Sequence, residues 1–94
     1  MSAYIIVNVE VTDPEQYKQY QKFSSEAMSK YGARVLVRGG EVTSLEGALP
    51  GRTVVMEFDD VEAARRFYDS PEYRQGRKAR ADAARVTMYI VQGV

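Results

Sequence analysis

The chain has 94 residues, of which 45% are hydrophobic and 28% charged, so it is long enough for one globular domain and too polar for a membrane span. It contains no histidine, cysteine or tryptophan, which excludes histidine-based catalytic triads, disulfides, thiolate zinc sites and histidine-ligated haem. The 13 basic and 13 acidic side chains cancel, so no net field attracts the protein to nucleic acid or to an anionic membrane.

The first predicted elements are a strand and a helix. Residues 3–11 alternate between apolar and polar side chains, which is the period of a strand. This run has no basic leader and ends at polar residues, so we expect no signal peptide and a cytoplasmic protein. Asp13 and Pro14 predict a helix start, because aspartate caps free N–H groups and proline fits the first helical position. Apolar positions at helical spacing carry this helix to about Tyr31.

Two further strands are predicted in the middle of the chain. Residues 33–38 alternate again, Gly39 and Gly40 interrupt the pattern, and we expect the strand to resume over residues 41–45. After a turn that contains a proline and glycines, residues 52–58 alternate as a third strand.

The last third of the chain predicts two helices and a fourth strand. Asp59 and Asp60 supply acidic caps for a helix with one apolar face. Ser70 followed by Pro71 restarts a short helix in the same way. Residues 85–91 then alternate as a strand.

This order of elements is the ferredoxin-like βαββαβ arrangement, an α+β fold, with one extra short helix before the last strand. We predict a single domain over residues 1–94, in which a four-stranded antiparallel sheet carries the helices on one face. The strand residues expected to face the helices are Ile5, Val7, Val9, Val35, Val37, Val54, Met56, Phe58, Val86, Met88 and Ile90.

The opposite face of the sheet mixes apolar with polar side chains. Its predicted members are Tyr4, Ile6, Asn8, Leu36, Arg38, Val55, Glu57, Thr87 and Tyr89. Such a face is too apolar to stay in water, and two copies related by a twofold axis would cover it. We therefore predict a homodimer in which the two sheets enclose a shared barrel.

Short motifs that are weak alone occur in a specific order along the chain. They are Asp13-Pro14 with Tyr17 and Tyr20, Tyr31-Gly32, Arg38-Gly39-Gly40, Leu45-Glu46-Gly47, Glu57-Phe58, Ala64, Tyr68, Ser70-Pro71-Glu72-Tyr73 and Arg80. Over nearly its whole length the chain resembles the family named domain of unknown function 1330. It departs from the family pattern at Ala33, at Asp59-Asp60 and at Gly76, where a glycine weakens the short helix.

The resemblance implies membership of the dimeric α/β-barrel superfamily, which agrees with the predicted dimer. That superfamily includes cofactor-independent monooxygenases, lactone isomerases and haem-dependent chlorite-degrading enzymes, and a shared fold does not choose among them. The haem-dependent members do not fit a chain without histidine, and we expect neither a cofactor nor a metal.

Three residues on the face away from the helices are candidate catalytic residues. The first and third strands are neighbours in this fold, so Asn8 and Glu57 are expected to meet near the middle of the barrel, with Arg38 in reach. Burial would raise the pKa of the Glu57 carboxyl towards that of a general base, and the Arg38 guanidinium would lower it. The alternative, which we favour, is a structural ion pair between Glu57 and Arg38.

Four further residues are candidates for substrate binding. Tyr4 and Tyr89 lie on the same sheet face as the catalytic candidates, Tyr68 lies on the second helix, and Arg80 belongs to a basic stretch at the mouth of the predicted pocket. The alternatives are aromatic packing for Tyr68 and solvent exposure for Arg80.

The sequence supports two candidate functions. The first is a cofactor-independent enzyme that transfers a proton on, or oxygenates, a small anionic and partly apolar molecule, with Glu57 as base, Asn8 as oxyanion donor and Arg38 as counter-charge. The second is a homodimer that binds a metabolite in the same pocket, or has a structural role, without catalysis. Nucleic-acid binding is the least favoured function, and we expect no nucleic-acid partner.

Overall fold

A computed structural model describes all of residues 1–94. The elements in chain order are β1 (Ala3–Val11), α1 (Pro14–Lys30), β2 (Arg34–Arg38), β3 (Arg52–Phe58), α2 (Val61–Asp69), α3 (Pro71–Arg80) and β4 (Ala84–Gln92). The four strands form one antiparallel sheet in the order β2-β3-β1-β4. The predicted α+β, ferredoxin-like arrangement is confirmed. None of the three helices combines the length and the apolar run that crossing a membrane requires.

The helices begin where the capping residues predict. Asp13, Asp60 and Ser70 each accept a hydrogen bond from the backbone N–H three residues further on, at 3.2, 2.7 and 3.1 Å. Pro14 and Pro71 occupy the first turns of α1 and α3, where a missing N–H costs nothing. Ser70 also ends α2, so α2 and α3 follow each other without a loop.

The core lies between the helices and one face of the sheet, which we call the helix face. Its largest fully buried side chains are Tyr73, Phe58, Phe67, Ile5 and Met56, and burying a side chain of this size contributes about 1.5–3 kcal/mol. Every strand residue predicted to face the helices, except Val37, belongs to this core or packs against it.

Gly76 allows α3 to approach α1 closely. A Cβ at this buried position would lie 3.2 Å from Phe23 Cβ and 3.3 Å from Tyr20 Cδ1, which leaves little room for a side chain. The departure from the family pattern at Gly76 is thus a packing feature: the residue that lowers helix propensity by about 1 kcal/mol is the one that fits between the two helices.

A β-bulge in β2 reverses the direction of the side chains that follow it. Across β2 and β3, Val35 lies opposite Met56, Val37 opposite Val55 and Arg38 opposite Val54. Leu36 is therefore an extra residue, and strict alternation fails beyond it. The placement of Val37 on the helix face and of Arg38 on the opposite face was wrong, because directly paired residues share a face and Val54 is buried under the helices.

Residues 39–51 form an irregular connection between β2 and β3. The expected return of the strand over residues 41–45 was wrong. Gly39 has a φ of 66°, a left-handed conformation that only glycine adopts readily, and it turns the chain away from the sheet. Leu45 beyond it is 93% exposed.

Candidate functional site

The face of the sheet away from the helices, here called the open face, is organised in rows across the strands. The middle row is apolar and consists of Val37, Val55, Ile6 and Tyr89 in register. One flanking row consists of Arg34, Glu57, Tyr4 and Val91, and the other of Thr53, Asn8 and Thr87. The open face therefore presents an apolar band between two polar rows.

Glu57 is held by two neighbours in its own row. Arg34 Nε donates to Glu57 Oε1 at 3.1 Å, and Tyr4 Oη donates to Glu57 Oε2 at 3.2 Å. The hydrogen bond from Arg34 is the main reason why the pKa of Glu57 lies below its ordinary value. A carboxylate of this kind is ionised at neutral pH and is a weak base, so the geometry matches the structural ion pair, with Arg34 in place of Arg38.

The expected meeting of Asn8, Arg38 and Glu57 does not occur. Glu57 lies opposite Tyr4, and Asn8 lies four residues further along β1, a distance of about 13 Å at the rise of a strand. Asn8 Oδ1 instead accepts a hydrogen bond from Thr53 Oγ1 at 3.0 Å. Asn8 and Glu57 lie on neighbouring strands, but two such residues meet only when the register places them opposite each other. Arg38 lies on the other face of the sheet.

Arg38 lines a cleft between α1 and the helix face, here called the α1 cleft. The cleft has a volume of about 280 Å³. Its lining residues are Val7, Tyr17, Tyr20, Gln21, Ser24, Ser25, Met28, Arg38, Arg52, Val54 and Met56. The strands supply apolar side chains and two guanidinium groups, and α1 supplies hydroxyl and amide groups.

Arg38 and Arg52 bring two positive charges to the cleft. Arg38 ends β2 and Arg52 begins β3, and neither forms an ion pair. The Arg38 guanidinium contacts Met28 Sδ at 3.7 Å. The Arg52 guanidinium lies against Gly39, where a Cβ would overlap Arg52 Nε. Gly39 is therefore needed for its backbone conformation, and a side chain at this position would displace the Arg52 guanidinium.

Two tyrosines of α1 complete the polar wall of the cleft. Burial raises the pKa of Tyr17, against the opposing effect of the nearby Arg52. Burial also raises the pKa of Tyr20, whose hydroxyl lies 2.7 Å from the hydroxyl of Tyr73 in the core. Both phenols therefore stay protonated at neutral pH and can act as hydrogen-bond donors.

The α1 cleft can hold an anion but supplies no obvious base. Arginine, tyrosine, serine and glutamine line it, and none of these residue types titrates near pH 7. No group of three or more acidic side chains is placed to hold a metal ion. Sequence reasoning missed Arg52; the available signal was an arginine next to a glycine at each end of the connection, in Arg38-Gly39 and Gly51-Arg52.

The four residues predicted to bind substrate lie in three places. Tyr4 is on the open face beside Glu57. Tyr68 and Tyr89 are brought together in a second cavity of about 360 Å³, here called the β4 pocket, whose lining residues are Ile5, Arg65, Tyr68, Met88, Tyr89 and Ile90. The Arg80 guanidinium carbon lies 5.1 Å from the ring centre of Tyr20, so Arg80 packs between the helices.

Comparison with solved structures identifies the fold. A protein of unknown function from Rhodopseudomonas palustris superposes with a TM-score of 0.79 at 18% identity, over 99% of this chain and 82% of that chain. SnoaB, a cofactor-independent oxygenase from Streptomyces nogalater, gives 0.62 at 13% identity, over 99% and 93%. A dimeric ferredoxin-like protein of unknown function from Bacteroides fragilis gives 0.59 at 15%, over 98% and 96%.

Identities this low establish the fold alone. Comparison with curated proteins gives no match. A family model described as "Domain of unknown function (DUF1330)" matches residues 2–94, which agrees with the order of motifs in the sequence. The chain therefore belongs to the DUF1330 family.

Proposed function

We propose that the protein binds a small, partly apolar carboxylate in the α1 cleft. The observation that carries this proposal is the pair of guanidinium groups, Arg38 and Arg52, which face the cleft without an acidic partner. Guanidinium groups recognise carboxylates through two parallel hydrogen bonds. The cleft volume of about 280 Å³ lies just below the range of about 300–1,000 Å³ typical of drug-sized ligands, which favours a small metabolite.

The rest of the lining supports a ligand with both polar and apolar parts. Val7, Val54 and Met56 offer an apolar surface for a short carbon skeleton. Ser25 and Tyr17 on α1 offer hydroxyl groups for further oxygens of the ligand. The carboxylate placed between the arginines would offset the repulsion between them.

Binding is tested by thermal unfolding and calorimetry with a panel of small aliphatic and aromatic carboxylates. We expect at least one to raise the Tm of the wild type and to lose about tenfold or more in affinity in Arg38→Gln and Arg52→Gln, since a charged hydrogen bond contributes about 1.5–3 kcal/mol. The control is Arg66→Gln, an exposed arginine of α2 that pairs with Glu62. Equal affinity in all three variants would refute the proposal.

A second candidate is a cofactor-independent enzyme that oxygenates the same ligand with molecular oxygen. It is favoured by the likeness to SnoaB in fold and by the two guanidinium groups, which would stabilise negative charge that develops on a substrate oxygen. Mass spectrometry of the ligand after incubation, with an oxygen electrode, separates the candidates. An unchanged ligand and no oxygen uptake support binding alone.

We also propose that the open face packs against a second copy of the chain. Its apolar row ends in an exposed side chain at each edge of the sheet, Val37 at 40% and Tyr89 at 50% exposure. A twofold axis through this row would bury it against itself. Light scattering should report a dimer for the wild type and for Leu45→Lys in the exposed connection, and a monomer for Val37→Lys and Val91→Lys; a dimer in all four would contradict the proposal.

A further inference from the structure

We propose that the β4 pocket is a second ligand site, which takes a small apolar anion such as an aromatic sulfonate or carboxylate. This pocket lies at the free edge of the sheet, between α2 and β4. It shares no lining residue with the α1 cleft. The proposal therefore does not depend on the function proposed for that cleft.

The walls of the β4 pocket are suited to an apolar body. Five of its six lining residues are hydrophobic, whereas the α1 cleft carries serines, a glutamine and two arginines. Ile5 at the base is 1% exposed, so the pocket reaches the core. Tyr89 lies at the rim, on the open face that a second copy is proposed to cover. The other five lining residues lie on the helix face or on α2, so the pocket opens between α2 and β4.

The anionic group of the ligand is assigned to an arginine beside Tyr68. Arg65 lines the pocket one turn before Tyr68 on α2. It forms no ion pair, so its charge is available to a ligand. Arg77 does not line the pocket; its guanidinium carbon lies 4.0 Å from the centre of the Tyr68 ring.

Arg77 orders the Tyr68 wall of the pocket before any ligand arrives. Its guanidinium stacks on the Tyr68 ring, a contact that contributes about 0.5–2 kcal/mol. A side chain that is ordered in the free protein loses little further entropy on binding. An apolar wall, a preordered tyrosine and the Arg65 cation therefore meet in the β4 pocket.

The α1 cleft and the β4 pocket lie on opposite sides of a buried chain of contacts. Tyr20 lines the cleft, its hydroxyl lies 2.7 Å from the Tyr73 hydroxyl, and Tyr73 Oη contacts Sδ of Met88 at 3.5 Å. Met88 lines the β4 pocket, while Met28 and Met56 line the cleft. The two cavities thus have different methionines, which can report on each cavity separately.

The direct test uses the unaltered protein with ¹³C-labelled methionine methyl groups and 8-anilinonaphthalene-1-sulfonate as the probe. The protein has four methionines. We expect saturable shifts of the Met88 methyl signal at probe concentrations that leave the Met28 and Met56 signals in place. Shifts of Met28 or Met56 without Met88, shifts of none of these three methyls, or shifts that do not saturate would each overturn the proposal.

A variant series tests the assignment of the charge. Arg65→Gln should weaken the sulfonate by about tenfold while the uncharged N-phenyl-1-naphthylamine binds as before. Arg66→Gln on the same helix is the control and should leave both affinities unchanged. An unaltered sulfonate affinity in Arg65→Gln, or its loss in Arg52→Gln, which would place the probe in the α1 cleft, would contradict the proposal. A failure of the cleft proposal would leave the result for Arg65→Gln unaffected.

Discussion

Arg38 and Arg52 lie diagonally across the neighbouring strands β2 and β3, on the same face of the sheet, with Arg38 opposite Val54 and Arg52 two residues before Val54. Diagonal neighbours in an antiparallel pair are about 7–8 Å apart. Two like charges at this spacing, without an acidic partner, repel each other in the unliganded protein. The arrangement lowers stability and at the same time prepares the α1 cleft for an anion.

Removing one of these charges should stabilise the unliganded protein. We expect Arg38→Gln to raise the free energy of unfolding by about 0.2–1 kcal/mol at low ionic strength, because Arg38 is exposed and its contact with Met28 is weak. The gain should shrink in about 1 M salt, where charges are screened within roughly 3 Å. Urea unfolding at two salt concentrations measures both effects, and a loss of stability at low salt would contradict the expected repulsion.

Gly39 and Gly40 offer a matched pair of substitutions. Gly39→Ala should cost about 1–2 kcal/mol, because its φ is 66° and a Cβ would overlap the Arg52 guanidinium. The Cβ of Gly40→Ala meets no atom within 4 Å, and the backbone φ of Gly40 is not positive. Gly40→Ala should therefore be neutral in chemical unfolding. Gly39→Ala should also weaken ligand binding in the α1 cleft, since Arg52 has to move.

The ion pair of Glu57 predicts a specific dependence of stability on pH. The pKa of folded Glu57 lies below its ordinary value of 4.5, mainly because Arg34 donates a hydrogen bond to the carboxylate. A lowered folded pKa adds stability above the ordinary value, and this stability is lost as the pH falls through the folded pKa. Urea unfolding at about pH 6 and about pH 3 should therefore show a larger loss for the wild type than for Glu57→Gln.

The remaining loss on acidification has a second source. The pKa of Glu72 is also lowered, chiefly by its hydrogen bond with Lys30, so Glu57→Gln should keep part of the pH dependence. Glu46→Gln, a control in the exposed connection, removes a carboxylate that forms no ion pair. If Glu57→Gln and Glu46→Gln lost the same stability on acidification, the Arg34 pair would not contribute.

The buried hydroxyl pair of Tyr20 and Tyr73 should behave as a coupled unit. Tyr73→Phe leaves the Tyr20 hydroxyl without its partner at 2.7 Å, which should cost about 1–3 kcal/mol. The double variant with Tyr20→Phe removes both hydroxyls and should cost less than the sum of the single changes. Tyr31→Phe, which removes a partly exposed hydrogen bond to Glu72, is the control and should cost about 0.5 kcal/mol or less. Additive costs for Tyr20 and Tyr73 would contradict the coupling.

Most of the fold could be predicted from local signals in the sequence. The helix starts at Asp13, Asp60 and Ser70 are encoded in the capping residue and its neighbours. The strands are predicted by the alternation of apolar and polar side chains, because one face of each strand is buried. The predicted order of strands and helices is compatible with only a few sheet topologies. The fold that the family resemblance implies is the one that the structure shows.

The candidate site was harder to predict because it depends on pairing between strands. Alternation alone gives no sign that Leu36 is an extra residue in β2, so Arg38 was placed on the wrong face. The separation of Asn8 from Glu57 depends on the register of β1 against β3, which is set by the whole length of the two strands. Arg34 was missed as the partner of Glu57 for the same reason.

The bulge at Leu36 decides on which face of the sheet the Arg38 charge lies. If β2 kept all its residues and paired with β3 without a bulge, Leu36 would lie opposite Val55, and the Arg38 guanidinium would point away from the α1 cleft and towards the surface proposed to contact a second copy. A change in strand pairing alone, with no change at Arg38, would thus move a ligand-binding charge to the surface between protomers. Among related chains, an arginine at this position should serve an anion cleft only where β2 also carries the bulge.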